Sequence, residues 1–68
     1  MGVTYKKLFK LMIDCGLKKK DLQEMACLSP ATISKLGRDD YVSMDVLVRI
    51  CNALKVRIED IVEVLIED

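Results

Sequence analysis

No histidine occurs in this chain, and its three cysteines, Cys15, Cys27 and Cys51, stand far apart without a Cys-x-x-Cys pair. A structural zinc site cannot be assembled from that set. Cys27 lies near lysines, but no His or Asp partner accompanies it to make an activated nucleophile. There is no Gly-rich loop to cradle a phosphate, and 68 residues leave no room for a large pocket. Catalysis is therefore rejected, and no metal, cofactor or small-molecule ligand is expected. Each cysteine reads as a small buried hydrophobe in a reducing compartment, with a redox-sensing thiol as the sharper alternative. The groups left to do chemistry are cations and hydroxyls. Lys18, Lys19 and Lys20 form one run, Lys35 and Arg38 follow, and between them lie Ser29, Pro30, Ala31, Thr32 and Ser34. Cations flanking small polar residues suit contact with a polyanion, because ammoniums meet phosphates while small side chains permit close approach.

Net charge is zero, but its distribution is lopsided. Residues 1–38 carry eight Lys or Arg and three acids, a net of +5; residues 39–68 carry three bases and eight acids, a net of −5. One half can face phosphates while the other faces away. Hydrophobic residues make up 51% of the chain and charged residues 32%, so neither a disordered tail nor a membrane protein is expected. No apolar run approaches the roughly 20 residues that span a bilayer. The N-terminus lacks a secretory apolar segment, and Lys6 stands where a myristoylation motif needs Ser or Thr, so a cytoplasmic protein is expected. With two Tyr, one Phe and no Trp, the core must come from Leu, Ile, Val and Met. The length allows one domain, 1–68, near the lower limit for an independent core.

The elements that must position these side chains follow from spacing. Thr4 can cap a first helix whose Tyr5, Leu8, Phe9 and Met12 recur at one helical face, widened by Leu11 and Ile13, with Gly16 placed to end it. A short second helix follows the lysine run, with Leu22, Met25 and Ala26 as its apolar stripe. Three lysines at a helix start match the positive end of the macrodipole poorly, and a nearby phosphate would justify them. Ser29-Pro30 is the sharpest local signal, since Ser caps a helix and Pro is pre-organised for its first position. The helix it opens, over residues 30–36, is anchored only by Ile33 and Leu36, and Gly37 can stop it. Asp39, Asp40, Tyr41 and Val42 read as a loop. Ser43 caps a fourth helix with Leu47, Ile50, Cys51 and Leu54 on one face and Val46 and Val48 beyond it. A short fifth helix is expected over 58–62. Residues 62–66 can extend it or form a strand, because Val62, Val64 and Ile66 alternate with Glu63 and Leu65.

Two short helices separated by Cys27-Leu28-Ser29 make a helix-turn-helix centred on residues 19–36, with Leu22, Ala26, Leu28, Ile33 and Leu36 spaced to form its corner. The run KKKDLQEMACLSPATISKLGRDDYVSMDVLVRICNALKVRIEDIVE resembles the Cro/C1-type helix-turn-helix domain of the phage-repressor and xenobiotic-response-element superfamily. Leu22, Ser29, Thr32-Ile33-Ser34, Leu36 and the pattern S-x-x-x-L-x-x-I-C-x-A-L-x-V-x-x-E-D-I over 43–61 carry the likeness, which spans nearly the whole chain. The resemblance implies a compact, all-α, five-helix, lambda-repressor-like fold and a transcriptional regulator acting on double-stranded DNA, usually as a homodimer. It places Ser29, Pro30, Ala31, Ser34 and Lys35 where the family contacts base edges. Lys19 stands where the family usually has a phosphate-binding Gln, and Thr32, Arg38 and Tyr41 fall at backbone contacts. Lys18 and Lys20 join them as flanking cations. Two departures stand out: Gln23 where the family commonly has Ala, and Cys27 where it commonly has Gly. If the turn needs a positive φ, Cys27 costs about 1 kcal/mol.

Since Pro30 and Ala31 offer few hydrogen bonds, direct base readout would rest on Ser34 and Lys35, with a thymine-methyl contact from Ala31 or Pro30. The competing reading is a protein-interaction module of the same fold, an antitoxin-like binder of a protein partner. The blander alternative is a helical bundle whose basic face is merely solvated. The C-terminal segment, 62–66, is the candidate homodimer interface.

Overall fold

The computed structural model describes residues 2–67. Its elements are β1 (Gly2–Thr4), α1 (Lys6–Asp14), α2 (Lys19–Met25), α3 (Pro30–Gly37), α4 (Met44–Leu54), a single 3₁₀ turn (Ile58–Asp60) and β2 (Glu63–Leu65). Tyr5, Leu8, Leu22, Leu36, Ile50 and Ile61, drawn from every helix and from the chain after the 3₁₀ turn, are almost wholly buried.

Helix α1 buries Leu8 and Met12 as the spacing predicts, but Ile13 is 77% exposed, so the helix covers the core with one stripe and does not sit deep within it. Its start also differs from expectation. Thr4 belongs to β1, and its Oγ1 accepts only a 3.4 Å bond from the Lys6 amide. The cap comes instead from far along the chain: Asp39 Oδ1 accepts from the Tyr5 amide at 3.0 Å, and Asp39 Oδ2 accepts from the Thr4 hydroxyl at 3.3 Å. At its other end Gly16 takes φ +71°, and the amides of Gly16 and Leu17 close on the carbonyls of Ile13 and Met12. This is a Schellman termination, the role glycine suits best.

Helix α2 begins where the Asp21 carboxylate accepts from the Lys18 amide at 2.9 Å. Leu22 is buried, but Met25 is 47% exposed, so the buried face is narrower than the sequence stripe. Cys27 holds φ +55°, and the amides of Cys27 and Leu28 close on Glu24 and Gln23. In α3, Ser29 Oγ accepts from the Thr32 amide at 3.2 Å and Pro30 occupies the first turn, while Ile33 and Leu36 are buried. Gly37 does not stop this helix. It is the last helical residue, and Asp39 at φ +57° makes the left-handed bend, with the Asp39 and Asp40 amides closing on Leu36 and Lys35. In α4, Ser43 Oγ accepts from the Val46 amide at 3.3 Å, and Leu47 and Ile50 are buried.

The fifth helix expected over 58–62 is a correction: only Ile58–Asp60 winds, as one 3₁₀ turn, with Asp60 Oδ2 accepting from the Arg57 amide at 3.0 Å. Ile61 must reach the core, and the chain after it extends so that Glu63, Val64 and Leu65 can pair with β1, so winding does not continue. Residues 63–65 therefore form a strand, antiparallel to β1 in the register Gly2↔Leu65, Val3↔Val64, Thr4↔Glu63. The fold is mostly helical, with a small sheet joining its two ends.

The cysteines also need correction. Cys15 and Cys27 are exposed and Cys51 is half-buried. Cys15 follows the solvent side of α1, and the left-handed bend at Cys27 leaves its side chain outside the corner.

Candidate nucleic-acid interface

The corner between α2 and α3 is built from Leu22, Ala26, Leu28, Ile33 and Leu36, all at most 9% exposed. Packing them on one side leaves the rest of α3 outward, with Pro30, Ala31, Ser34 and Lys35 exposed. No carboxylate lies on α3 to repel a polyanion. Arg49 of α4 fixes the corner from behind: its Nη1 donates to the Cys27 carbonyl at 3.3 Å, and its Nε pairs with Asp45 Oδ2 at 3.0 Å.

The candidate contact residues divide by what already engages them. Ser29 and Thr32 are joined, the Thr32 amide donating to Ser29 Oγ and the two hydroxyls lying 3.0 Å apart. Both therefore serve the helix start, and Thr32 is half-buried. Ser34 and Lys35 make no side-chain hydrogen bond or ion pair among the described residues, so their donors face solvent unclaimed. Arg38 Nε pairs with Asp40 Oδ2 at 3.1 Å, both side chains at least half exposed; its other guanidinium N–H groups remain available. Tyr41 is 67% exposed.

Lys18, Lys19 and Lys20 are all exposed at the start of α2. Lys19 reaches across to the end of α3, with its Nζ 3.5 Å from where a Cβ on Gly37 would stand. The negative end of the α3 dipole attracts that ammonium, which offsets its unfavourable place at the start of α2. The fold thus gathers Lys19, Lys35 and Arg38 around one end of α3. The basic first half of the chain supplies this face.

Two residues of this region escaped the sequence reading. Phe9 of α1 lies under Lys19, with the ammonium 5.5 Å from its ring centroid. Asp39 ties the bend after α3 to the start of α1. Beside it the Tyr5 hydroxyl donates to the Asp40 carbonyl at 2.7 Å. Burial pushes the Tyr5 phenol above its ordinary value, the Val42 backbone offsets part of that, and Asp39 and Asp40 add to the rise. Neither partnership carries a local signal, since 34 or 35 residues separate the Asp39 and Tyr5 partners.

Among the described residues no helix is long and apolar enough to cross a membrane. No curated protein matches the chain. A solved structure, the crystal structure of transcriptional regulator VanUg in its Form II, is similar at 44% identity and a TM-score of 0.91, over 97% of this chain and 88% of that one. The family model for the Cro/C1-type HTH DNA-binding domain matches residues 7–65, which takes in α1 from its second residue, the whole of α2, α3 and α4, and the lysine run. The chain belongs to the Cro/C1-type helix-turn-helix DNA-binding domain family.

Proposed function

We propose that this chain is a small cytoplasmic transcriptional regulator, a repressor, that binds double-stranded DNA sequence-specifically as a single domain. Helix α3 enters the major groove, whose width of about 12 Å admits a helix with small side chains. Ser34 and Lys35 read base edges, Ala31 and Pro30 contact thymine methyls, and Ser29 lies at the groove edge. Lys18, Lys19, Lys20, Thr32, Arg38 and Tyr41 face the phosphates and set the register of the docked helix. The observation that carries this reading is an α3 anchored by Ile33 and Leu36 alone, with Pro30, Ala31, Ser34 and Lys35 uncovered.

A reader with so few donors gains specificity by binding as a pair. Two copies related by a two-fold axis would set their recognition helices about 34 Å apart, in successive major grooves. The C-terminal segment is the proposed interface: Val64 is 64% exposed, Leu65 46% and Ile66 85%, an apolar run that a second copy would cover.

Selection of bound sites from random duplex DNA, repeated with Lys35→Ala, tests the reading. A two-fold symmetric motif is expected, and Lys35→Ala should cost about 1–3 kcal/mol and relax one position of each half-site. Recovery of no motif, with affinity for duplex unchanged by Lys35→Ala, would favour a protein partner for this fold.

A further inference from the structure

Phe9 lies on α1, outside the helix-turn-helix, and is partly buried against the core. Its ring supports the Lys19 ammonium at 5.5 Å from the centroid, and the same ammonium sits beside Gly37 at the end of α3. The ring quadrupole and the negative end of a helix dipole both attract a cation without cancelling its charge. Among the described residues the ion pairs are Arg38–Asp40, Arg49–Asp45 and Arg57–Glu59, so no carboxylate neutralises Lys19. The ammonium is held in place and left charged.

We propose that Phe9 is a positioning residue for the DNA backbone: its ring, together with the end of α3, fixes the Lys19 ammonium where a phosphate meets it. The inference rests on the DNA-binding reading above. A free lysine must surrender rotamer freedom when it docks a phosphate. The ring and the helix end favour one Lys19 rotamer before the duplex arrives, so part of that cost is already met and the charge is biased toward one place on the recognition face. Lys18 and Lys20 have no such ring contact among the described residues, so they contribute charge without position.

The test is a double-mutant cycle in Phe9→Leu and Lys19→Gln, read as affinity for a fluorescently labelled duplex of mixed sequence over a range of salt. Phe9→Leu should weaken binding about two- to fivefold, the size of an exposed cation–π contact. Lys19→Gln should weaken it further and make the salt slope shallower by about 1. In the Lys19→Gln background Phe9→Leu should have no effect, and Phe9→Tyr, which keeps the ring face, should bind like the parent. In the free protein the Lys19 ε-methylene protons should show an upfield ring-current shift, retained in Phe9→Tyr and absent in Phe9→Leu. Equal weakening by Phe9→Leu in both backgrounds overturns the proposal, as do unshifted Lys19 ε-methylene protons in the parent protein, a result that needs no variant to fold. A parent protein that binds no duplex overturns the DNA reading as well; failure of the positioning role alone leaves parental binding intact and removes only the coupling.

Discussion

Replacing Asp39 should be among the most damaging exposed substitutions in this protein, because one residue does three jobs. Its Oδ1 caps α1 through the Tyr5 amide at 3.0 Å, its Oδ2 receives the Thr4 hydroxyl at 3.3 Å, and its backbone makes the left-handed bend that ends α3. Loss of a helix cap costs about 1 kcal/mol. The longer Thr4 bond, part-buried, contributes about 0.5 kcal/mol, at the low end for a neutral donor. Alanine tolerates φ +57° less well than aspartate, at a further cost of about 0.5–1 kcal/mol. Asp39→Ala should therefore lose about 2–2.5 kcal/mol, a fall in Tm of roughly 10–15 °C for a domain of this size. Asp39→Gly loses the same side-chain bonds but relieves the bend, so its cost should be nearer 1–1.5 kcal/mol. Asp39→Asn keeps an acceptor oxygen and a residue suited to the bend, losing only the charge at the start of α1, about 0.5 kcal/mol. Urea unfolding followed by circular dichroism at neutral pH ranks the three. An alanine variant within 0.5 kcal/mol of the parent, or an asparagine variant as damaging as alanine, would refute the account of how α3 is tied to α1.

Other consequences can be checked with ordinary measurements. Cys27→Gly should raise stability by about 0.5–1 kcal/mol, since the exposed thiol gives little back for its φ of +55°, whereas Cys27→Val should lower it; equal stability for all three residues would contradict the strain. Tyr5→Phe should cost about 1 kcal/mol at neutral pH through loss of the bond to the Asp40 carbonyl. The folded Tyr5 holds its proton above the ordinary value of 10.0, so its contribution is complete below that pH and is lost as pH climbs above it. The parent should thus lose more stability than Tyr5→Phe between pH 10 and 11.5, and parallel declines would remove the assignment. Native thiol titration should find Cys15 and Cys27 reacting well before Cys51, whose thiol is pushed up by burial and by Asp60; three equal rates would contradict the burial.

The residues that announced themselves in the sequence act locally. Ser29-Pro30 and Ser43 cap the helices they precede, and Gly16 bends where a glycine should, because each of these roles is settled within a few residues. The corner residues Leu22, Ala26, Leu28, Ile33 and Leu36 were legible for the same reason, their burial following helical spacing. The sequence points to Gly37 for the bend after α3 because glycine is the commoner choice, while Asp39 accepts the strained position and offsets it with bonds to Thr4 and Tyr5. Strand β1 carried no signal of its own: Gly2–Thr4 is extended only because β2 returns to pair with it from some sixty residues away. That return also limits the expected fifth helix to one turn. Phe9 read as plain core, and nothing in its spacing revealed that Lys19 would come to lie over its ring. The lysine run looked ill-matched to a helix start, and the mismatch eases once Lys19 is seen to reach the opposite end of the next helix.

Helix α3 and the cations around it are the face proposed to meet DNA. Amide chemical-shift mapping with a labelled sample of the whole chain and a short selected duplex tests it most directly. If α3 faces DNA, the largest changes fall at Ala31, Ser34 and Lys35, with a second cluster at Lys18, Lys19 and Lys20, all diminishing as salt is raised. Changes centred instead on α4 or on Val64, Leu65 and Ile66, with α3 unmoved, would contradict it.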